Sequence, residues 1–265
     1  MEAIKCIMKE SEGEYRAKRK DFLSSHALGD FRKCPEFFHK KETGEIEDED
    51  SPAYALGRAA HCLILEGGEV FHQQYLVGEP VNEKTGKAYG KNTLAYQEWL
   101  AEQKQEVVTP SDFDFIRRLQ VAVWLHNEAA KLLQNGIAEG VVRESYCGMP
   151  CQIRMDFFNP DRGIIDLKTC DDLTWFEADA RRYGYIYQAA FYRAILGNAT
   201  ASIYPAYIIA VEKKQPFRCG VWCLSSTALD FAATENAAAI ERLKKCRAEN
   251  VWPTGYEEIR IMENI

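Results

Sequence analysis

Two short segments of this chain place charge where a strand is expected to be apolar. The first reads Ile153-Arg154-Met155-Asp156-Phe157-Phe158 and the second Gly163-Ile164-Ile165-Asp166-Leu167-Lys168-Thr169. Between them, Asn159-Pro160-Asp161-Arg162-Gly163 has the composition of a tight turn, so the segments are expected to pair as adjacent strands. Asp166 and Lys168 are two residues apart and share one strand face, and the turn brings Asp156 beside them. Ile164, Ile165 and Leu167 give the second segment the character of a central strand, where a charged side chain needs a partner or a metal. Two carboxylates on one surface repel, and one takes up a proton unless a cation compensates. Oxygen donors of this kind suit Mg²⁺, with Mn²⁺ as a substitute. A lysine beside such a metal holds an attacking water or stabilises charge on a phosphate. The pattern points to metal-dependent phosphodiester cleavage, although most Asp-x-Lys triplets taken alone are solvated faces or surface ion pairs.

At 265 residues, 46% of them hydrophobic and 12% aromatic, the chain has enough apolar surface for one large core or two small ones. No apolar run approaches the ~20 residues of a membrane helix, and the N-terminus lacks a signal-peptide pattern, so a cytoplasmic location is expected. Nine cysteines, scattered singly and odd in number, do not form a disulfide framework, and most are expected to be reduced and buried. The net charge of −7 does not favour nucleic-acid binding by the whole surface, but a local basic groove can still bind phosphate. Arg16, Lys18, Arg19 and Lys20 form one basic cluster, which reads equally as a solvated helix end.

A helix is expected from a Ser24 or Ser25 cap to about residue 41, followed by an acidic loop over 42–50. Ser51-Pro52 opens a second helix that ends at Gly67-Gly68, and 78–90 reads as a mobile loop. Helices are expected at about 92–104 and 111–134. From Glu139 the period changes, with strands at 141–147, 151–158 and 163–169, a long helix at 174–196, strands at 203–211 and 217–224, and a helix at 226–248. This order predicts an α/β fold with a mixed central sheet flanked by helices. The chain reads as a single domain over 1–265, with a helical N-terminal portion to about 136 and an α/β core over about 137–250.

Several residues outside the two strands extend the pattern. Leu56-Gly57-Arg58-Ala59-Ala60-His61 places a histidine on a helix whose small residues allow close approach to a sheet. Gln188 and Tyr192 are four apart on one helix face, and Cys34-Pro35-Glu36-Phe37-Phe38 follows Ser24. These motifs, with Asp156 and Asp166-Leu167-Lys168, resemble the RecE-like nucleases of the PD-(D/E)XK superfamily over most of the chain, from Ser24 to Trp252-Pro253. The proline of the superfamily name is absent, since Met155 precedes Asp156.

The resemblance implies a Mg²⁺ site formed by His61, Asp156, Asp166 and the Leu167 carbonyl, with Lys168 acting on the water and Gln188 and Tyr192 assisting. It further implies 5′→3′ digestion of linear double-stranded DNA to leave 3′ overhangs for recombination, a RecT-like single-strand-annealing partner and a homo-oligomeric, tetrameric ring. Glu144 is a further candidate ligand on the first strand, and Arg154 a neutraliser of Asp156; both also read as structural.

Two other readings remain. One is a RecB-like nuclease of CRISPR adaptation or of a helicase complex, several of which carry an iron–sulfur cluster on one early and three late cysteines. Cys34 fits the early position, but Cys219, Cys223 and Cys246 lack the tight late spacing. The other is a catalytically silent DNA-binding module, which would be expected to have lost some of the six matching groups.

Overall fold

A computed structural model describes residues 5–47 and 51–261. Its centre is a six-stranded sheet in the order β1-β4-β5-β6-β7-β8. The strands are β1 (Met8–Lys9), β4 (Ile137–Tyr146), β5 (Met149–Asn159), β6 (Gly163–Cys170), β7 (Ala206–Glu212) and β8 (Cys219–Cys223). All neighbours are antiparallel except β6 and β7, which run parallel from Ile164↔Ala206 to Cys170↔Glu212. A parallel pair needs a crossover, supplied by α9 (Phe176–Tyr183) and α10 (Tyr185–Thr200). A separate parallel pair joins β2 (Tyr75–Val77) and β3 (Glu106–Val108). The mixed sheet flanked by helices agrees with the expected class, while β1, β2 and β3 were not foreseen; two or three residues carry too little periodicity to read.

Side-chain alternation along β6 sorts the two layers. Ile165 and Leu167 pack with α4 (Pro52–His61), α5 (Gly67–Gln74), α7 (Pro110–Leu125) and α8 (Asn127–Leu132) through Ala60, Phe71, Ile116 and Ala129. Ile164 points the other way, towards α2 (Ser25–Lys33), α3 (Pro35–Thr43), α10 and α11 (Ser226–Glu249) through Phe31, Phe38, Phe191 and Ile240. Asp166 and Lys168 alternate with Leu167, so they belong to the α10 side.

Several helices differ from expectation for local reasons. The helix over 24–41 is two, because Pro35 has no N–H to donate and restricts Cys34 to an extended conformation. Cys34 then caps α3, its Sγ accepting from the Phe37 N–H. The helix from Ser51, by contrast, ends where expected: α4 continues into a π-turn at Cys62–Glu66, and Gly67, at φ 88°, breaks the path at the start of α5. His126 divides the helix expected over 111–134, its Nδ1 accepting from the Ala129 N–H. Gly184, at φ 75°, separates α9 from α10, and α10 runs past Gly197 to Thr200. The 78–90 segment is irregular apart from a Val81↔Ala88 bridge. Of the acidic 42–50 loop, 48–50 lie outside the described residues.

The start of β6 depends on one glycine. Gly163 has φ 130°, and a Cβ there would lie 2.2 Å from the Pro205 carbonyl oxygen. That carbonyl also accepts the Ile164 N–H. Gly163→Ala is therefore expected to destabilise the protein by about 3 kcal/mol or more. In urea unfolding the midpoint should fall with the slope unchanged.

Candidate active site

The β5–β6 ladder pairs Asn159 with Gly163, Phe158 with Ile164 and Phe157 with Ile165. Beyond it the Asp156 side chain takes over, Oδ2 accepting the Leu167 N–H at 2.8 Å. On its other edge β6 stays paired to β7 as far as Cys170. Asp156, Asp166 and Lys168 thus meet where one edge of a central strand has lost its partner, an opening the sheet itself creates.

On β4, Ala138 pairs with Phe157 and Gly140 with Met155. Glu139 between them has φ 55°, an uncommon conformation for a residue with a side chain. The facing of β5 changes at the same level: Met155 packs with the α10 layer and Phe157 with the α4 layer. This distortion gathers Glu139, Asp156 and His61 of α4, which offer ligand atoms all within 4.8 Å of one another. Among the described residues no other His, Cys, Asp and Glu group has metal-binding spacing. His61 Nδ1 stands 3.6 Å from Asp156 Oδ2.

Asp166 is only 7% exposed, and neither of its carboxylate oxygens has an aligned hydrogen bond. Lys168 Nζ lies 2.6 Å from its Oδ2, an ion pair by distance alone. The Lys168 ammonium also sits 4.9 Å from the centre of the Tyr185 ring. From α10, Gln188 Nε2 donates to the Tyr192 hydroxyl at 3.1 Å, and the charges of Asp156 and Asp166 act on that hydroxyl.

Electrostatics follow from this crowding. Burial lowers the His61 pKa against the pull of Asp156, keeping a neutral imidazole, and a hydrogen bond with the Leu167 backbone opposes the shift. Burial raises the Asp166 carboxyl to about 6, opposed by Lys168. Burial raises Glu139 to about 8, with Asp156 adding to the shift and Arg154 opposing it. For Lys168, burial works against the ammonium, but Asp166 and Asp156 prevail and the pKa is raised. Three carboxylates face two cations, Lys168 and Arg154, in one confined space.

Of the expected site residues, His61 and Asp156 come together with Glu139, whereas Asp166 lies outside that ligand group and pairs with Lys168. Leu167 is buried between Asp166 and Lys168, and Gln188 and Tyr192 bond each other where the charges of Asp156 and Asp166 act on the Tyr192 hydroxyl. Glu144 does not join them. It lies farther along β4, its carboxylate accepting from the Ser145 N–H. Glu139 occupies the place on β4 instead. Arg154 pairs with Glu139 at 3.0 Å, by distance rather than by an aligned hydrogen bond, and not with Asp156. His26 of α2 was also missed. Its side chain is exposed, and the charges of Lys168 and Asp156 act on it. Of the basic cluster, Arg16 and Lys18 are engaged by Glu12 and Glu10. Cys219 and Cys223 lie on β8 and Cys246 on α11, and five of the nine cysteines are neither buried nor exposed, short of the burial expected.

Antiparallel strands carrying Asp156 and Asp166-x-Lys168, followed by a helical crossover to a parallel strand, define a PD-(D/E)XK-like protein. The chain belongs to the family described as a PDDEXK-like domain of unknown function (DUF3799), whose profile matches residues 24–264. A candidate exonuclease from Eubacterium rectale superposes with a TM-score of 0.71 at 19% identity, over 97% of this chain and 96% of that one. A phage-related exonuclease from Haemophilus somnus 129PT gives 0.39 at 14% identity, over 87% and 96%. An alkaline exonuclease from Laribacter hongkongensis gives 0.30 at 14%, over 90% and 100%. No curated protein matches the chain significantly. Among the described residues no helix is long and apolar enough to cross a membrane.

The raised carboxylates make stability depend on pH. A carboxyl whose pKa is raised by folding contributes stability below its unfolded value, and that contribution is lost as pH rises through the folded value. For Glu139 the window runs from the ordinary 4.5 to about 8. In EDTA, wild-type protein is therefore expected to lose stability relative to Glu139→Gln across this range. Added Mg²⁺ should reverse the trend, because ligands bind metal deprotonated. Thermal melts of both proteins at pH 5, 6.5 and 8 check this.

Proposed function

We propose that this chain is a divalent-metal-dependent DNA nuclease, acting as a 5′→3′ exonuclease on linear duplex DNA. The observation that carries the reading is the buried Asp166 carboxylate, whose oxygens lack aligned hydrogen bonds beside Lys168 and the His61, Glu139 and Asp156 cluster. Lys168 gives that carboxylate one cation, but the site sets three carboxylates against two cations, and the excess negative charge in a confined space is costly unless a further cation neutralises it. Oxygen donors with one imidazole suit Mg²⁺, and Mn²⁺ equally.

Asp166, Asp156, Glu139 and His61 would hold the ion, with the Leu167 carbonyl as a further oxygen donor. Bound there, a divalent ion supplies charge neutralisation at phosphate oxygens and a lowered pKa for water. Asp156 has a second task, since its bond to the Leu167 N–H fixes the backbone between Asp166 and Lys168. Lys168 carries its positive charge in a confined site, where a fixed cation stabilises charge developing on a phosphate or orients the attacking water. Gln188 and Tyr192 hold each other in place through their hydrogen bond and position polar groups at the same opening.

The matching fold of a candidate exonuclease supports the exonuclease assignment. Polarity, 3′ overhangs, a recombination role with an annealing partner, and a ring-shaped oligomer are proposed from the resemblance of the motifs. A ring would also answer the net charge of −7, because an acidic monomer would leave DNA readily. The test is linear duplex labelled separately at each 5′ and 3′ end, incubated with Mg²⁺ beside closed circular DNA. Early release of 5′ label with survival of the circle is expected. Cutting of the circle would make the chain an endonuclease, and no cleavage with Mg²⁺ or Mn²⁺ would leave a binding module.

A further inference from the structure

Outside the carboxylate cluster, the Lys168 ammonium leads to the surface through two tyrosines. It lies over the Tyr185 ring. Tyr185 and Tyr183 stack, with centroids 5.9 Å apart and planes 28° from parallel. The Arg182 guanidinium lies 5.5 Å from the centre of Tyr183. One local feature produces this ladder. Gly184 adopts the left-handed conformation that ends α9 and starts α10, so the residues flanking it lie side by side instead of following a helical path.

The outer ring is not part of the core. Tyr183 is 60% exposed, and Arg181 and Arg182 beside it are exposed as well. Neither arginine is in an ion pair among the described residues. The acidic groups of α9 lie close by: Glu177 accepts from the Trp222 indole, and the charge of Asp179 acts on Tyr185. An exposed aromatic side chain with the Arg182 guanidinium against it and the exposed Arg181 two residues away, two ring contacts from the half-buried Lys168, combines base stacking with backbone charge. Those are the two components of sequence-tolerant binding to an unpaired strand.

The geometry points to Tyr183 as a stacking platform, with Arg181 and Arg182, for a base of an unpaired DNA strand entering or leaving the site at Lys168. This assignment rests on the nuclease reading and deepens it by naming how a strand is held.

The test is binding of a single-stranded oligodeoxynucleotide carrying 2-aminopurine, performed in EDTA. Wild-type protein is expected to quench the 2-aminopurine on binding. Tyr183→Ala should lose the quench and bind about tenfold more weakly, equivalent to about 1.4 kcal/mol, while Tyr183→Phe keeps both. Arg181→Gln/Arg182→Gln should flatten the salt dependence of affinity. Absence of binding by wild-type protein, wild-type affinity in Tyr183→Ala, or equal losses in the Phe and Ala variants would each overturn the platform. The readout needs no cleavage. Quenching by a chain that cuts no DNA retains the platform and sinks the nuclease reading, whereas normal binding by Tyr183→Ala in a chain that cuts DNA does the reverse.

Discussion

Asp166→Asn is expected to lower DNA cleavage by more than about 10³-fold, beyond the 10²–10³ typical of removing one preorganised donor. The substitution keeps the shape of a side chain that is 7% exposed, so packing is preserved. It removes the negative charge that faces Lys168 at 2.6 Å and places an amide where two oxygens lack aligned hydrogen bonds. The loss should come from metal binding rather than from unfolding. Far-UV circular dichroism should be unchanged, and Mg²⁺ should no longer raise the melting temperature. Cleavage at the wild-type rate by a folded Asp166→Asn protein would refute the assignment of this site.

Lys168→Ala is expected to cost at least about 10²-fold in cleavage rate while leaving DNA affinity within a few fold. The ammonium is held from two sides, by Asp166 and by the face of Tyr185, so its position is fixed before substrate arrives. A preorganised charge gives its largest benefit in the transition state and much less in ground-state binding. The readout is single-turnover cleavage beside equilibrium binding without metal. A fall in affinity equal to the fall in rate would make Lys168 a binding residue. Lys168→Arg should recover little, because a planar guanidinium does not reproduce a compact ammonium between a carboxylate and a ring.

Much of this site could be read from residue order alone. Asp156, Asp166 and Lys168 were legible because charges interrupt apolar strands, and the 159–163 turn fixes which strands pair. His61 was legible from the small residues beside it, Ala59 and Ala60, both buried against the sheet. Glu139 was not. The first strand was expected from residue 141, and a residue with φ 55° beside Gly140 reads as part of a turn. The signal was nevertheless present, since an acid within Ile137-Ala138-x-Gly140-Val141-Val142 interrupts an apolar run just as Asp166 does. His26 lacked any such signal, because its relation to Lys168 arises only when α2 packs against the sheet.

The helix boundaries divide the same way. Caps at Ser24, Ser51, Thr109 and Ser225 acted through side-chain oxygens, as their residue types predict. The misplaced breaks lie at Cys34-Pro35, His126 and Gly184, where one backbone conformation overrides an otherwise continuous apolar pattern. Gly67 did end its helix, at φ 88°, whereas Gly197 did not, because packing of the surrounding apolar residues outweighs the ~1 kcal/mol that glycine costs.

His61, Glu139, Asp156 and Asp166 are proposed to bind a divalent cation. Calorimetric titration of Mn²⁺ into metal-free protein at pH 8 tests this most directly, with Asp166→Asn run in parallel. Saturable binding by the wild-type chain and its loss in the variant are expected. No binding by wild-type protein, or the same isotherm from both, would contradict the assignment.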